Sequence, residues 1–374
     1  LRSLPVSDWI KRKWLAAQCD YAWQALTFAE EQGQTSTTQA AYRQYEQVES
    51  SSSPSVALYC GNLGCGGAAR TSVLLATGLS FPVAGLYNRE PAFPKYAEFL
   101  NYLQRHKVAY VEHQIPDCEV LIAWGPAPDA GELPSKLRHV IFFANAPTDA
   151  CRADFYSWEH LVGSGLKVVR AAYSLDFTGP VVWNGAEPPL YSVKKLRRLM
   201  YRGRYAWEKN LYALIAACSG TDIEIDMFGE GPEEKGLWQA TEKWSARGLR
   251  VHSTPCHDLW AAGYEALILP SVLEASPSVV AEAMLGKTLV IASPVGDVPA
   301  ILGQDRGILA ASSRFEDLRI AIAKYRDMSD AAKEQMAKKA KSFAEKYLTS
   351  SNMCRGFEHA ITGAVHGESE EPAA

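Results

Sequence analysis

The chain has 374 residues, of which 47% are hydrophobic and 21% are charged, with a formal net charge of −4 and a pI near 6.1. This length and apolar content suffice for two ordinary domain cores. The mild acidity argues against a protein that binds nucleic acid non-specifically over its whole surface. No apolar run approaches the length of a transmembrane helix and no secretory signal pattern is evident, so the sequence predicts a cytoplasmic protein.

Cysteine usage fits a reducing compartment. The eight cysteines show no C-x-x-C spacing, and several lie in apolar stretches typical of strands or helices. They are therefore predicted to be reduced core residues. Their positions are 19, 60, 65, 118, 151, 218, 256 and 354.

Residues 1–53 differ in composition from the rest of the chain. Trp9, Trp14, Tyr21 and Trp23 stand among polar residues, and a Ser-rich stretch follows them. This pattern predicts an amphipathic helical extension and a flexible linker. Packing against its own domain is favoured over docking to a partner or membrane, because the segment is nearly neutral and its aromatic spacing is core-like.

A buried strand, a glycine-rich loop and an apolar helix are predicted between residues 56 and 79. Gly64, Gly66 and Gly67 remove side chains where a backbone approaches a ligand, and the following helix offers its N-terminus to an anion. A Rossmann dinucleotide site is the obvious rival. Its G-x-G-x-x-G spacing is absent, however, as is an acidic residue about twenty positions later.

Further apolar runs alternate with helical patterns up to residue 171. Such alternation is typical of a doubly wound parallel sheet. After one run, Asn145 lies in the sequence FFANAP, where it could bind a ligand or simply form a turn. The predicted strands are residues 83–86, 108–111, 120–124, 140–143 and 168–171.

Basic side chains surround the next predicted strand, at 199–201. The KKLRR segment at 194–198 is compatible with contact with anionic lipid, and a solvated linker explains it equally well. Beyond the strand, Gly203 permits a tight turn or a close approach to a ligand, and Arg204 and Lys209 precede an apolar helix. These two cations can hold a diphosphate and neutralise charge on a departing one, although solvated loop charges are the alternative.

Two carboxylates eight positions apart, Glu274 and Glu282, follow a predicted strand that ends near residue 270. Glu274 should lie at the carboxyl edge of a parallel sheet, where open α/β sheets bind ligands. The turn Ser276-Pro277-Ser278 is expected to open a helix whose free N–H groups and dipole suit a phosphate or sugar oxygen. Glu282 is expected on the same helix face as Glu274. The alternative is that Glu274 is a helix cap and Glu282 a solvated helix residue.

These segments together resemble the retaining glycosyltransferases of the GT-B fold, specifically glycosyltransferase family 4. Gly203, Arg204 and Lys209 are similar to the family's G-R-x-x-x-x-K element, and Glu274 and Glu282 to its E-x7-E signature. The resemblance is strongest over residues 197–310. Four further segments match family elements in the expected order: GGAAR at 66–70, WNGAE at 183–187, FGEGP at 228–232 with Gly229 and Gly231, and PVGDVP at 294–299.

The resemblance implies roles for individual residues. Arg204 and Lys209 would grip the nucleotide diphosphate, while Glu274 would contact the donor sugar and Glu282 the ribose. Two positions depart from the family. Ala69 stands where Glu is usual, although Arg70 is kept, and the stretch 142–147 lacks the His that the family often places near the sugar. Asn145 could take a hydrogen-bonding role there, on the acceptor side.

No metal site is predicted. Asp222 and Asp226 form no D-x-D motif, and alternate positions on a strand explain them. The GT-B enzymes generally hold the diphosphate without a metal, consistent with Arg204 and Lys209 supplying the charge. His252 and His257 lie in a loop that the resemblance places near the nucleotide base, where backbone contacts are expected to dominate.

The resemblance also implies the architecture: two Rossmann-like, doubly wound α/β domains facing a cleft, here preceded by the helical extension. The expected divisions are 1–53 for the extension and linker and 54–190 for an N-terminal acceptor domain. Residues 191–345 would form the nucleotide-sugar donor domain, and 346–374 a crossing helix and an acidic tail. Phe343 to Tyr347, followed by Met353 to Ile361, is the candidate crossing segment.

The implied activity is transfer of a sugar from a nucleotide diphosphate sugar, such as a UDP-sugar or GDP-sugar, to a hydroxyl of a glycan, lipid or small molecule. No cofactor is required beyond this donor substrate. Nucleic acid is not an expected partner, and peripheral contact with the inner face of a membrane is compatible with the basic segment. The alternatives are a sugar phosphorylase or nucleotide-sugar epimerase on the same fold, and a non-catalytic nucleotide-sugar-binding protein.

Overall fold

The computed structural model describes residues 54–63, 66–90, 97–188, 196–244, 248–253, 264–303 and 305–366. Several predictions concern other residues: the extension at 1–53, Gly64, the basic residues 194–195, His257 and the acidic tail. These all lie outside the described residues, as does the expected boundary between residues 190 and 191.

The first sheet contains six parallel strands in the order β3-β2-β1-β4-β5-β6. All five residues of β1 are buried, which explains the continuous apolar run in its sequence. The strands are β1 (Val56–Cys60), β2 (Val83–Asn88), β3 (Tyr110–Val111), β4 (Val120–Trp124), β5 (His139–Ala144) and β6 (Leu166–Arg170). The helices are α1 (Gly67–Gly78), α2 (Ala97–Arg105) and α3 (Asp149–Val162).

The second sheet also has six parallel strands, in the order β12-β11-β10-β7-β8-β9. Its strands are β7 (Leu196–Arg202), β8 (Ile225–Gly229), β9 (Leu249–Ser253), β10 (Tyr264–Leu269), β11 (Leu289–Ala292) and β12 (Ile308–Leu309). Its helices are α4 (Leu211–Cys218), α5 (Glu234–Lys243), α6 (Ser278–Leu285), α7 (Val298–Leu302), α8 (Phe315–Asp327) and α9 (Asp330–Tyr347).

The two sheets have the same strand topology. In each, the strand order reverses beside the first strand, between β1 and β4 in one sheet and between β7 and β10 in the other. The predicted α/β architecture of two doubly wound parallel sheets is confirmed. In such sheets ligands bind outside the carboxyl ends of the strands at the reversal point. Gly66 and Gly67 after β1, Gly203 after β7 and Glu274 after β10 therefore lie where a ligand is expected.

The strand predicted at 108–111 is shorter than expected. Val108 donates its backbone N–H to Leu103 O (3.0 Å), which closes the end of α2. Lys107 has a φ of 58°, a left-handed conformation that turns the chain out of the helix. The chain is therefore still leaving α2 at Val108, and β3 begins only at Tyr110.

A last helix, α10 (Ser350–His366), returns to the first sheet. Its residues Met353, Phe357 and Ile361 are buried in the first sheet's core. Phe343 and Tyr347 belong instead to α9, which packs on α6 of the second sheet. The crossing helix therefore begins later than the sequence pattern indicated.

The cysteines that the structure describes agree with the expectation of reduced core residues. Five of them, Cys60, Cys118, Cys151, Cys218 and Cys354, are buried and free. Burial raises the pKa of the Cys118, Cys218 and Cys354 thiols to about 12. A helix suited to span a bilayer is not found among the described residues.

Candidate active site

Two loops of the second sheet meet where its strand order reverses. One, residues 203–210, leaves β7 and the other, residues 270–277, leaves β10, and these strands pair directly in parallel. Val272 donates its backbone N–H to Glu208 O (2.9 Å), and Asn210 Nδ2 donates to Pro270 O (3.0 Å). Asn210 has a left-handed backbone (φ 53°), which Asn tolerates better than most residues. These bonds hold the two loops as one surface.

Lys209 and Glu274 are paired across these loops. Lys209 Nζ lies 2.7 Å from Glu274 Oε1, and Ser271 Oγ donates to the same oxygen at 2.7 Å. The two side chains are 20% and 11% exposed, so the pair is largely but not fully withdrawn from water. An ammonium and a carboxylate therefore stand side by side at the carboxyl edge of the sheet.

Arg204 extends from the same loop towards solvent. Its side chain is 60% exposed and bonds Glu208, four residues later. Burial opposes ionisation of Glu208, but its own backbone N–H and the Arg204 guanidinium outweigh that effect and lower its pKa. Glu208 is thus an anion at neutral pH that holds the Arg204 guanidinium on the loop that also carries Lys209.

The glycines of these loops serve close backbone packing. A Cβ on Gly229 would lie 1.9 Å from Gly203 O, and one on Gly231 would lie 2.3 Å from Tyr205 O. A Cβ on Gly203 would approach the Tyr201 hydroxyl at 2.6 Å. The turn at 228–232 therefore rests directly on the backbone that carries Arg204.

Glu282 does not lie where the sequence pattern put it. The helix α6 begins at Ser278 with Pro277 as its N-cap residue, so Glu274 precedes the helix and the two glutamates do not share a helix face. Glu282 is only 3% exposed, which also excludes the solvated alternative. Its Oε2 lies 2.7 Å from Arg202 Nη1, and its Oε1 lies 3.2 Å from Arg70 Nε.

The glycine loop of the first sheet faces the N-terminus of α6. A Cβ on Gly67 would lie 3.7 Å from Ser278 Oγ. Beside this contact, Asn184 accepts a hydrogen bond from Thr71 Oγ1 (3.0 Å) and donates one to Ser276 O (2.7 Å). The segment 276–278 therefore lies between α1 and the helix it opens, with Ser276 buried.

Asp297 makes a second connection between the two sheets' loops. Its carboxylate accepts from the backbone N–H groups of Tyr173 (2.6 Å) and Ser174 (2.9 Å) and from Trp183 Nε1 (2.8 Å). Its own N–H donates to Ala275 O (3.0 Å). Asp297 is 3% exposed, so these bonds are shielded from water.

Two predicted residues have no described contact with the others. Asn145 follows β5, and its Nδ2 is buried without a hydrogen-bond partner among the described residues. Gly66 is the N-cap residue of α1 and is exposed, with no atom near its Cβ position. The structure thus brings together Gly67 with Ser278, Gly203 with Gly229, and Lys209 with Glu274.

Sequence reasoning missed Arg202 and Glu208, and gave Asn184 and Asp297 no role. Arg202 is the last residue of β7. The available signal was a charged residue in a strand that leads into a glycine loop. Glu208 precedes Lys209 directly, but nothing in the spacing indicates that it holds Arg204. Asn184 and Asp297 act between segments more than 90 residues apart, a relationship that local patterns do not record.

The described ranges contain no group of three or more His, Cys, Asp or Glu side chains arranged to hold a metal ion. Asp226, on β8, bonds His252 Nε2 (3.2 Å) and Tyr264 Oη (3.1 Å). Asp222 precedes β8, so the two aspartates do not alternate on one strand as expected.

Comparisons with known proteins find similarity both in sequence and in fold. The family model described as "Glycosyl transferases group 1" matches residues 189–343, which include every site residue of the second sheet. A comparison with curated protein sequences finds no match.

Solved structures share the fold across most of the chain. HepE of Anabaena, in complex with UDP and glucose, is 14% identical, with a TM-score of 0.66 over 83% of this chain and 100% of HepE. A glycosyltransferase from Rickettsia africae is 12% identical, with a TM-score of 0.66 over 84% and 99% of the two chains. Sucrose-phosphate synthase of Thermosynechococcus elongatus is 11% identical, with a TM-score of 0.64 over 85% and 100%. The two-domain α/β architecture of this chain is that of the GT-B glycosyltransferases.

Proposed function

We propose that this protein is a retaining glycosyltransferase that moves a sugar from a nucleotide diphosphate sugar to a hydroxyl group of an acceptor. The observation that carries the proposal is the Lys209–Glu274 pair at the reversal point of the second sheet, with Arg204 on the same loop. Transfer needs a cation that binds the diphosphate next to a carboxylate that binds the sugar, because the bond that breaks joins the sugar to the diphosphate.

Arg204 and Lys209 bind the leaving diphosphate. Each cation is held by a carboxylate, Arg204 by Glu208 and Lys209 by Glu274. The exposed Arg204 side chain can turn from Glu208 to a phosphate, where its planar fork can make two parallel bonds. These cations offset the negative charge that grows on the diphosphate as the sugar departs, and no metal is required for that purpose.

The two glutamates bind different parts of the donor. Glu274 accepts hydrogen bonds from sugar hydroxyls and orients the ring above the diphosphate. Glu282 binds the ribose, since a carboxylate has about four acceptor sites and its two arginine partners leave capacity for a hydroxyl.

Backbone groups complete the donor site. Ser276, Ser278 and the first turn of α6 offer N–H groups to phosphate or sugar oxygens, whereas Pro277 has no N–H and shapes the turn, and Gly67 of the first domain faces Ser278. Gly229 packs tightly on Gly203, and Gly231 packs on Tyr205, which lets the backbone of these loops lie close to the nucleotide. Domain closure around this site excludes water while the sugar carries positive charge.

Residues 54–190 form the acceptor domain in this proposal and residues 191–345 the donor domain. The Nδ2 of Asn145 is buried and has no hydrogen-bond partner within the described part of the chain, which supports a hydrogen bond from Asn145 to a ligand on the acceptor side. The protein acts in the cytoplasm, with peripheral contact with a membrane through residues 194–198 as a secondary feature.

A panel of UDP, GDP, ADP and their common sugar conjugates tests the proposal. A donor that binds the folded state raises the melting temperature by mass action. We expect a selective shift for one nucleotide, and UDP is tested first because HepE was solved with it. The selected sugar nucleotide is then incubated with and without acceptors, and release of the nucleoside diphosphate is measured. The anomeric configuration of the product, read by NMR, must equal that of the donor.

One other function is favoured by a specific observation. Ala69 and Asn145 replace residues that the related enzymes usually carry, which suits a binding protein that kept the nucleotide cleft without the chemistry. Donor binding without transfer or hydrolysis would identify this case. Phosphate-dependent release of a sugar phosphate would instead identify a phosphorylase, and interconversion of the donor without acceptor an epimerase.

A further inference from the structure

A cavity of about 120 Å³ lies in the first domain, outside the donor site. It is formed between residues 146–152, where β5 continues into α3, and residues 174–177, which follow β6. Both segments leave the carboxyl edge of the first sheet, the edge at which doubly wound sheets bind ligands. No role described so far uses this cavity.

An exposed tyrosine directly precedes the segment 174–177 that lines this cavity. Tyr173 precedes the lining residue Ser174 and is 64% exposed. Its ring meets Trp183 edge-on with centroids 5.8 Å apart, and Trp183 in turn packs on Phe343. Because Asp297 also holds the Tyr173 backbone, the ring has a firm support while its surface remains open to a ligand.

The cavity is close to the proposed sugar position. Ser174 N–H donates to Asp297 (2.9 Å), and Asp297 N–H donates to the carbonyl of Ala275, the residue after Glu274. Two hydrogen bonds thus connect the cavity to the loop that orients the donor sugar. Transfer requires the acceptor oxygen to lie about 3–3.5 Å from the reacting carbon, so an acceptor site must adjoin Glu274.

The charges of the cavity select against an anionic ligand. Arg152 contacts Asp176 at 3.4 Å, and Asp149 adds a second carboxylate. A phosphate would meet two anions and one cation that already has a carboxylate partner. Sugar hydroxyls suit this set better, because a hydroxyl donates to a carboxylate and accepts from a guanidinium. Phe177 adds an apolar wall for the carbon skeleton of a sugar.

We propose that this cavity is the acceptor site and that the acceptor is a neutral saccharide whose ring packs on Tyr173 while its hydroxyls bond Arg152 and Asp176. The proposal rests on the proposed glycosyltransferase function and names its acceptor class. A phosphorylated acceptor, including a lipid phosphate, is disfavoured by the charge of the cavity.

Saturation-transfer NMR on the full chain, saturated with its preferred nucleoside diphosphate, tests the site. The probes are maltotriose, lactose and N,N′-diacetylchitobiose as neutral saccharides, with glucose 6-phosphate as the anionic comparison. We expect at least one neutral saccharide to bind in preference to glucose 6-phosphate. Tyr173→Ala should weaken its binding about tenfold and Tyr173→Phe should keep most of it, since the ring supplies the contact. Phe315→Ala, which removes an exposed aromatic ring at the start of α8, is the matched control and should bind as the wild type does.

Nucleotide binding, measured on the same samples by thermal shift, separates the two proposals. The first case is that the nucleotide binds and turns over. If no neutral saccharide then binds, or if Tyr173→Ala binds the saccharide as well as the wild type does, the acceptor proposal is wrong and the donor proposal stands. Preference for glucose 6-phosphate also overturns it. If no nucleotide binds, the glycosyltransferase proposal itself fails.

Discussion

Arg70 and Glu282 form an ion pair between the two domains, with Arg70 Nε 3.2 Å from Glu282 Oε1. Arg70 belongs to α1 beside the glycine loop, and Glu282 lies in the middle of α6. The second oxygen of Glu282 bonds Arg202 at the end of β7. One buried carboxylate therefore joins the first domain to the loop that begins the donor site.

The two partners of this pair should differ in their effect on stability. Glu282→Ala removes the carboxylate next to Arg202, which is 5% exposed, and should lower the free energy of unfolding by about 3–5 kcal/mol. Arg70→Ala leaves Glu282 bonded to Arg202, and water can reach the space of a side chain that is 21% exposed. Its cost should be about 1–2 kcal/mol. Urea unfolding of both variants measures the difference, and equal costs would mean that Arg202 does not depend on Glu282.

Asp297→Ala should allow the domains to separate. The substitution removes the acceptor of three hydrogen bonds, from Tyr173, Ser174 and Trp183. We expect a larger radius of gyration in small-angle X-ray scattering and a cost of about 3–5 kcal/mol. The control is Asp305→Ala, which removes an exposed ion pair with Lys339 and should change stability far less than Asp297→Ala does. An unchanged radius for Asp297→Ala would show that the remaining contacts suffice to hold the domains together.

The architecture could be predicted from the sequence because its signals are local. Apolar runs such as 56–60 and 120–124 mark buried parallel strands, and glycines mark the loops that follow them. Glu274 was expected at the carboxyl edge of a strand and is found in the loop after β10. Each of these inferences needs only a few neighbouring residues.

The partners of Glu282 could not be predicted, because they depend on how two domains meet. Arg70 is more than 200 residues away in the sequence, and no spacing rule relates it to α6. The prediction that Glu274 and Glu282 share a helix face was wrong for a local reason. Periodicity in the sequence does not show where a helix begins, and here the first helical residue is Ser278.

Lys209→Ala and Glu274→Ala should each reduce turnover by about 10²–10³ with the fold intact. In the proposed function Lys209 supplies charge to the leaving diphosphate and Glu274 holds the sugar, so neither loss should be offset by more donor. Lys341→Ala, on the exposed face of α9, is the control for loss of a surface lysine and should have normal turnover. Far-ultraviolet circular dichroism verifies folding. Near-normal turnover in either folded variant of the pair would refute the assignment.

Gly229→Ala should destabilise the donor domain, because its Cβ would lie 1.9 Å from Gly203 O. The backbone of one loop must move, at a cost of about 2 kcal/mol or more. Gly131→Ala is the matched control, since a Cβ there meets no atom within 4 Å. Thermal unfolding of the two variants compares the costs. The movement should also weaken nucleotide binding in Gly229→Ala, because Gly203 precedes Arg204.

Glu208 and Glu233 should respond oppositely to pH. The pKa of Glu208 is lowered, since its backbone N–H and Arg204 outweigh burial, whereas burial and then the charge of Glu208 raise the pKa of Glu233. The stability that Glu208 contributes is present above 4.5, the ordinary pKa of a glutamate, and is lost as the pH falls through its folded pKa. The contribution of Glu233 is present below 4.5 and is lost as the pH rises through its folded pKa.

Glu208→Gln should therefore lower the melting temperature at pH 7, and Glu233→Gln should raise it. The Glu233→Gln difference should shrink as the pH falls from 7 towards 4.5, because the raised pKa of Glu233 lets the wild-type carboxyl group become neutral there, whereas the Glu208→Gln difference should shrink only below 4.5. Melting curves between pH 3 and pH 8 measure the two trends. A stabilising effect of Glu233→Gln that persisted unchanged at pH 4 would assign it to packing around the buried Glu233 Oε2, which has no hydrogen-bond partner among the described residues. A destabilising effect at pH 7 would mean that the ionised Glu233 carboxylate stabilises the fold.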